Sequence, residues 1–228
     1  MNTIYKSDRG IFCVEDASNK FLDDRSVDLF IVNPPFFGAH AAEYGNFSYQ
    51  MHNVPSLEDY LIRVAHMVSL MQDALTDNGT VLLVLPNLPF IFEFIEKLDV
   101  DLKFGQLIVW DLMREGNGVN HSALIFALHK GQPTRQDNSI VRIPAALDED
   151  LDTFKPVGFV DDSLPIRFYE HMIERFSTKG DTVSDIMGGT GAICIAAKNL
   201  DRKFIYNDVS EEQARVAVAR YTKFNGLE

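Results

Sequence analysis

Short apolar runs alternate with amphipathic segments along most of the chain. Seven runs have the length and the aliphatic or aromatic character of buried strands, at residues 10–16, 27–32, 80–86, 105–112, 122–130, 181–187 and 202–208. Apolar residues at helical spacing predict five helices, at residues 56–75, 88–98, 164–177, 188–200 and 210–226. Strands that alternate with helices in this way predict an α/β fold with a mostly parallel, doubly wound sheet.

A parallel sheet of this kind has one edge at which ligands bind. Right-handed crossovers bring the carboxyl ends of the parallel strands to that edge. Polar residues at the end of a predicted strand, or directly after it, are therefore the first candidates for a functional site. Asn33, Asp185 and Asp208 occupy such positions, and Asp16 ends the first predicted strand.

The composition is that of an ordinary globular protein, with 46% hydrophobic and 24% charged residues among 228. No apolar run reaches the roughly 20 residues that span a bilayer, and the first ten residues lack the apolar core of a signal peptide. We therefore expect one soluble, cytoplasmic domain over residues 1–228. Cys13 and Cys194 lie inside apolar runs, and the six histidines show no ligand spacing, so we expect reduced core thiols and no metal site.

The segment from Asp185 to Asp208 has the order strand, glycine turn, helix, strand, acid. Gly188, Gly189 and Gly191 let the backbone approach a ligand where the helix begins. Asp208 follows the turn by about 20 residues, where a carboxylate accepts hydrogen bonds from ribose hydroxyls. This order predicts a site for a nucleoside-containing cofactor. The turn is not G-x-G-x-x-G, and on these residues alone a dinucleotide and S-adenosylmethionine are both open.

Two motifs in a fixed order carry a family resemblance. Residues 33–36 read Asn-Pro-Pro-Phe, and residues 185–192 read Asp-Ile-Met-Gly-Gly-Thr-Gly-Ala. The chain resembles the amino-methyltransferases that modify exocyclic amines of DNA bases. It is most similar to their circularly permuted class, in which the catalytic motif precedes the cofactor motif. The resemblance extends over most of residues 5–128 and 159–225.

The resemblance implies a circularly permuted, seven-stranded Rossmann-like sheet with one antiparallel strand. It implies S-adenosylmethionine as the cofactor, bound by Asp16, Asp185, Met187, Gly188, Gly189, Thr190, Gly191 and Asp208. It further implies methyl transfer to DNA, a role in restriction–modification, and a catalytic motif that consists of Asn33, Pro34, Pro35 and Phe36.

The residue types of the first motif suit this chemistry. An exocyclic base amine is a poor nucleophile, because its lone pair is delocalised into the ring. Hydrogen-bond acceptors facing the N–H groups draw the lone pair back, and the Asn33 side-chain oxygen and the Pro34 carbonyl would supply them. The prolines fix φ and remove backbone donors. Phe36 would stack on a base flipped out of the duplex. Asn33 together with Phe36 favours adenine N6, with cytosine N4 as the alternative.

The chain departs from the family pattern at four places. Asn33 stands where this permuted class more usually has an aspartate. Ile186-Met187 replaces a Pro-Phe pair after the acid of the cofactor motif. Leu164 replaces a lysine before Pro165, and no histidine matches the one that many members carry there. The segment at 131–161, where a target-recognition domain would lie, is predicted to be a short acidic loop or insertion. Its acids would repel phosphate.

The charge argues against a simple nucleic-acid binder, because the net value is −12. A local basic strip, a homodimer or a partner subunit would answer that objection, and residues 38–53 and 114–121 are candidate base-contacting loops. Three further functions stay open: methylation of RNA, methylation of a protein glutamine amide, and a catalytically degenerate interaction subunit. The order of the motifs favours DNA.

Overall fold

A computed structural model of the protein describes residues 1–34, 56–86, 91–113, 122–132, 140–144, 148, 150–151 and 163–226. Its strands are β1 (Thr3–Lys6), β2 (Gly10–Val14), β3 (Val27–Val32), β4 (Leu75–Pro86), β5 (Lys103–Asp111), β6 (Ser122–His129), β7 (Ile140–Arg142), β8 (Thr182–Asp185) and β9 (Lys203–Asp208). Its helices are α1 (Leu57–Ala74), α2 (Ile91–Lys97), α3 (Ile166–Phe176), α4 (Ala192–Asn199) and α5 (Glu211–Phe224).

The described strands form one mixed sheet in the order β1-β2-β9-β8-β3-β4-β6-β5-β7. β1 runs antiparallel to β2, and β6 runs antiparallel to both β4 and β5. The remaining pairings are parallel. The predicted α/β sheet is present, but the prediction of seven strands with one antiparallel member was wrong. The described sheet has nine strands, and two of them are antiparallel to their neighbours.

The two strands that the sequence did not predict are the outermost strands, one on each side of the sheet. β1 has four residues and β7 has three, too few to give a recognisable apolar run. Pairing with a neighbouring strand, rather than local sequence, defines them. β7 lies within residues 131–161, and the description of this segment as a loop or insertion in place of a target-recognition domain stays a prediction. Circular permutation of the fold stays a prediction.

A bulge in β4 accounts for a second difference from the prediction. Residues 77–79 were expected to separate the helix from the strand, but β4 begins at Leu75, directly after α1. The register with β3 shifts from Val27↔Leu75 to Leu29↔Thr80. Between these two pairs, β3 advances by two residues and β4 by five. The three additional residues of β4 are accommodated in the bulge.

Helices cover both faces of the sheet, and β3 shows how the core is divided. Leu29 and Ile31 join a buried cluster with residues of α3, α4 and α5. Phe30 and Val32 join a second cluster with residues of α1 and with Phe94 of α2. Successive side chains of a strand point to opposite faces, so a strand covered on both sides is apolar along its whole length. None of the helices in the described ranges is long and apolar enough to span a membrane.

Candidate active site

Four strand ends meet at one edge of the sheet. β3 pairs in parallel with β8, which pairs in parallel with β9, and β9 pairs in parallel with β2. The predicted site residues of these strands are therefore neighbours along the edge. Asn33 directly follows β3, Asp185 ends β8, Asp208 ends β9, and Asp16 lies two residues beyond the end of β2.

Asn33 has a buried side-chain oxygen without a hydrogen-bond partner among the described residues. Pro34, the next residue, is buried. Nearly all buried polar atoms in folded proteins are paired, so this acceptor at the carboxyl end of β3 has the capacity to bind a donor from outside the described residues. Amide N–H groups of a ligand would satisfy it.

The glycine turn between β8 and α4 is tightly packed. A Cβ atom on Gly188 would lie 2.4 Å from a ring carbon of Tyr206, and one on Gly191 would lie 2.7 Å from the Cβ of Ala217. Gly189 and Gly191 have φ angles of 49° and 76°, a backbone conformation that residues with a side chain rarely adopt. The turn is closed by a 2.9 Å hydrogen bond from the Gly191 N–H to the Gly188 carbonyl.

Asp185 is fully enclosed, with 1% of its surface exposed. The Tyr169 hydroxyl donates to its Oδ2 at 2.7 Å, and the Met187 N–H donates to its Oδ1 at 2.9 Å. Burial raises the pKa of Asp185 to about 7, against the lowering effect of these two donors. A cationic group brought to this carboxyl would favour its ionised form.

Asp208 links β9 to the glycine turn. Its Oδ2 accepts from the Gly189 N–H at 3.1 Å, and its Oδ1 accepts from the Ser210 N–H at 2.9 Å. Burial raises the pKa of Asp208 to about 6, and these backbone donors oppose the shift. Each oxygen keeps a second lone pair, so the carboxylate can still accept from a ligand.

Asp16 caps a turn. Its Oδ1 accepts from the backbone N–H and the hydroxyl of Ser18, at 2.9 and 2.7 Å. The turn directly follows the end of β2, and so lies beside Asp208 at the end of β9. Asp16 therefore has a structural role in the described protein, and its part in cofactor binding stays a prediction.

Three residues that the sequence reasoning missed hold the site in shape. The buried Asn207 amide donates to the carbonyls of Glu15 and Ile186, and its oxygen accepts from the Glu15 N–H. The Tyr206 hydroxyl donates to the Gly189 carbonyl at 2.8 Å. Tyr169 holds Asp185. An uncharged polar residue between the apolar run of β9 and Asp208 was the available signal for Asn207, whereas nothing local distinguishes Tyr169.

Part of the predicted site lies outside the described residues. Pro35 and Phe36 belong to this part, as do residues 38–53 and 114–121, the candidate base-contacting loops. Among the described residues, no group of histidine, cysteine and acidic side chains is arranged to hold a metal ion.

The fold, and the sequence of one segment, are similar to those of known proteins. Residues 158–219, which contain the glycine turn and Asp208, match a family model described as DNA methylase. No curated protein sequence matches the chain. The PvuII DNA methyltransferase (cytosine-N4-specific) superposes with a TM-score of 0.76 at 15% identity, over 96% of this chain and 89% of that one.

Two further solved structures contain S-adenosylmethionine. One, from Thermus thermophilus and named as a candidate DNA modification methylase, has a TM-score of 0.65 at 17% identity and covers 93% of each chain. The other, the M1.HpyAVI–SAM complex, has a TM-score of 0.61 at 18% identity, over 93% of this chain and 98% of that one. At these identities the likeness is one of fold. The chain is thus similar to DNA methyltransferases in fold over nearly its whole length, and in sequence over residues 158–219.

Proposed function

We propose that the protein is an S-adenosylmethionine-dependent methyltransferase that acts on an exocyclic amino group of a DNA base, with adenine N6 as the preferred target. The observation that carries this proposal is the buried Oδ1 of Asn33 at the carboxyl end of β3, which has no hydrogen-bond partner in the part of the chain that the structure describes. The strand next to β3 is β8, which ends in Asp185 and the glycine turn. An acceptor for an amine therefore lies beside a turn suited to a nucleoside cofactor.

The residues of the edge fit S-adenosylmethionine. Gly188 and Gly191 let the turn pack closely on Tyr206 and Ala217, whereas a Cβ atom on Gly189 would meet nothing within 4 Å among the described residues, so the backbone there is open to a ligand. Asp185 and Asp208 are buried carboxyls, suited to a cationic group and to ribose hydroxyls respectively. When bound, this cofactor would supply a methyl group carried on a sulfonium, and the electron pair of the broken carbon–sulfur bond would stay on the sulfur of the departing thioether.

The proposed role of Asn33 is to activate and orient the amine. Its Oδ1 accepts one amino N–H, and the Pro34 carbonyl accepts the other, which concentrates the lone pair on nitrogen. An amide cannot take up a proton at neutral pH, so the proton released when the new N–C bond forms passes to water. Positioning and oriented acceptors then supply the rate acceleration, without a general base. Phe36 is proposed to stack on the flipped base.

Cytosine N4 is the second candidate for the target. Its exocyclic amine needs the same pair of acceptors, and a cytosine-N4-specific enzyme is among the structures that share the fold. The Asn-Pro-Pro-Phe motif favours adenine. Membership of a restriction–modification system and assembly as a homodimer or with a partner subunit are further parts of the proposal that biochemical work has to test.

The test is transfer of labelled methyl from S-adenosylmethionine to unmethylated double-stranded DNA, followed by nucleoside analysis. We expect N6-methyladenine from the wild type and none above background from Asn33→Ala. Asn199→Ala is the matched control, because Asn199 lies at the far end of α4 and its amide donates only to Glu170 among the described residues. N4-methylcytosine would move the proposal to the second candidate. Cofactor binding without transfer to DNA would favour RNA or protein, and no binding would favour an interaction subunit.

A further inference from the structure

Asp148 and Asp150 form an acidic segment that pairs with one arginine of the core. Arg220 of α5 is 1% exposed. Its Nε and Nη2 donate to the two carboxylate oxygens of Asp150 at 2.7 and 2.9 Å, in a bidentate pair. Its Nη2 also donates to Asp148 at 2.7 Å. These two acids therefore share one buried guanidinium, whose single positive charge offsets one of their two negative charges.

The same guanidinium reaches the glycine turn. Its Nη1 donates to the Oγ1 of Thr190 at 3.2 Å and to the Thr190 carbonyl at 3.4 Å. Asp148 in turn accepts from the backbone N–H of Ile166, the first residue of α3, at 3.0 Å. Arg220 thus joins the acidic segment, the beginning of α3 and the turn between β8 and α4.

Thr190 is the one residue with a side chain between Gly189 and Gly191. Both glycines have positive φ angles and no Cβ atom, so the peptide units on either side of Thr190 have an unusually wide choice of conformations. A tether on the Thr190 side chain and carbonyl removes much of that freedom before a ligand binds. Pre-ordering of this kind improves affinity without any contact to the ligand.

We propose that Arg220 is a positioning residue for the cofactor turn, acting through Thr190, and that Asp148 and Asp150 hold its guanidinium in place. This inference rests on the proposed function, since it assumes that the turn binds S-adenosylmethionine. It gives the acidic segment a defined role, namely support of the cofactor site. A lysine cannot reproduce a bidentate fork that contacts three residues at once, so Arg220→Lys tests the geometry while keeping the charge.

The chain offers a matched control in Arg202, which is also buried, at 6% exposure. Its guanidinium donates to the Ser177 hydroxyl, the Ser177 carbonyl and the Leu200 carbonyl. Arg202 directly precedes β9, whereas Asp208 ends that strand. Arg202 therefore lies at the amino-terminal end of β9, away from the candidate site. Arg202→Lys therefore removes a comparable buried network without touching the cofactor turn.

The experiment measures the S-adenosylmethionine Kd by calorimetry, together with the Tm, for wild type, Arg220→Lys and Arg202→Lys. We expect both variants to lower the Tm, and only Arg220→Lys to raise the Kd, by about tenfold or more. In the transfer assay, the KM for the cofactor should rise with it, while kcat at saturating cofactor stays within about twofold of wild type. Thr190→Val, which removes the hydroxyl that Arg220 contacts and keeps the volume of the side chain, should raise the Kd in the same direction as Arg220→Lys.

Asp150→Asn tests the part played by the acidic segment, and it should raise the Kd in the same direction as Arg220→Lys. Equal Kd values for Arg220→Lys and Arg202→Lys, with a wild type that binds, would overturn the inference and leave the proposed function intact. A wild type that binds no S-adenosylmethionine would overturn the proposed function, and the inference with it.

Discussion

The Tyr169 hydroxyl donates a 2.7 Å hydrogen bond to Oδ2 of Asp185, and both side chains are buried. Tyr169 belongs to α3 and Asp185 ends β8, so the bond ties the first turns of a helix to the edge of the sheet where the site lies. The bond favours the ionised form of a carboxyl that burial makes easier to protonate. The Tyr169 hydroxyl therefore affects the ionisation of Asp185 and also joins α3 to β8.

Loss of the Tyr169 hydroxyl should change how cofactor binding depends on pH. In Tyr169→Phe, Asp185 loses a donor that lowers its pKa, so the carboxyl should ionise at a higher pH than in wild type. The pH below which the affinity for S-adenosylmethionine declines, measured by calorimetry from pH 5.5 to 8.5, should therefore be higher than in wild type. The free energy of unfolding should fall by about 1–3 kcal/mol, because an acceptor is left unsatisfied.

Tyr221→Phe is the control for Tyr169→Phe. Tyr221 is also buried, but among the described residues its hydroxyl makes only a long 3.4 Å contact, with Ser7 of the β1–β2 connection. This variant should leave the pH profile of binding unchanged. A profile of Tyr169→Phe that coincides with that of Tyr221→Phe would argue against a role for the hydroxyl in the charge of Asp185.

The stability of the ligand-free protein should carry a signature of Asp185. Its pKa is about 7 in the folded protein, above the ordinary value of 3.8 that applies to the unfolded chain. Between these values the folded state binds more protons than the unfolded state, so this group's contribution to stability falls as pH rises and is level above about pH 7. Asp208, with a pKa of about 6, contributes with the same sign.

Urea unfolding at pH 5, 6, 7 and 8 isolates this contribution when wild type is compared with Asp185→Asn. The asparagine does not titrate, so the difference in the free energy of unfolding between the two proteins should shift in favour of the variant as pH rises from 5 to 7. A difference that is constant over this range would show that Asp185 keeps an ordinary pKa. Other titrating groups are common to both proteins and cancel.

A methyl group on Gly188 should disturb the turn through Tyr206. The added Cβ would lie 2.4 Å from a ring carbon of Tyr206, a side chain that is itself fully buried. Gly188→Ala should therefore lower the free energy of unfolding by about 1–3 kcal/mol and weaken cofactor binding. Chemical denaturation and calorimetry give the two values.

Removal of the ring should relieve the clash. In the double variant Gly188→Ala/Tyr206→Leu, the effects on unfolding should be less than additive, because the smaller side chain leaves room for the new methyl group. Additive effects would mean that the turn shifts away from β9 instead of pressing on the ring. Cofactor affinity need not recover, since the Tyr206 hydroxyl also holds the Gly189 carbonyl.

Asn207 should be among the costliest polar residues to replace. Its side chain makes three hydrogen bonds, to both backbone groups of Glu15 and to the Ile186 carbonyl, and so joins the ends of β2 and β8 to β9. Asn207→Leu leaves these buried groups unpaired and should lower the free energy of unfolding by about 3 kcal/mol or more. Asn225→Ala, at the end of α5, loses a single bond to the Tyr221 carbonyl and should cost about 1 kcal/mol or less. Equal losses of stability in the two variants would contradict the proposed contribution of the three Asn207 hydrogen bonds.

Local pattern predicted most of the architecture. The central strands are buried on both faces and therefore read as apolar runs, and helices such as α1 and α5 begin at serines whose hydroxyls accept from the third residue beyond. The edge strands β1 and β7 escaped prediction because backbone pairing with a neighbour, not side-chain pattern, defines them. The bulge in β4 was missed for the same reason.

The sequence by itself determined which residues end the strands of the parallel sheet, because a parallel order brings Asn33, Asp185 and Asp208 to one edge whatever the details of packing. Only the tertiary structure decided what surrounds them. The Arg220–Asp150 pair joins residues 70 positions apart, and Asn207 reaches Glu15 across 192. Such contacts depend on how helices and strands pack in three dimensions, and burial, which packing alone creates, is what raises the pKa of Asp185.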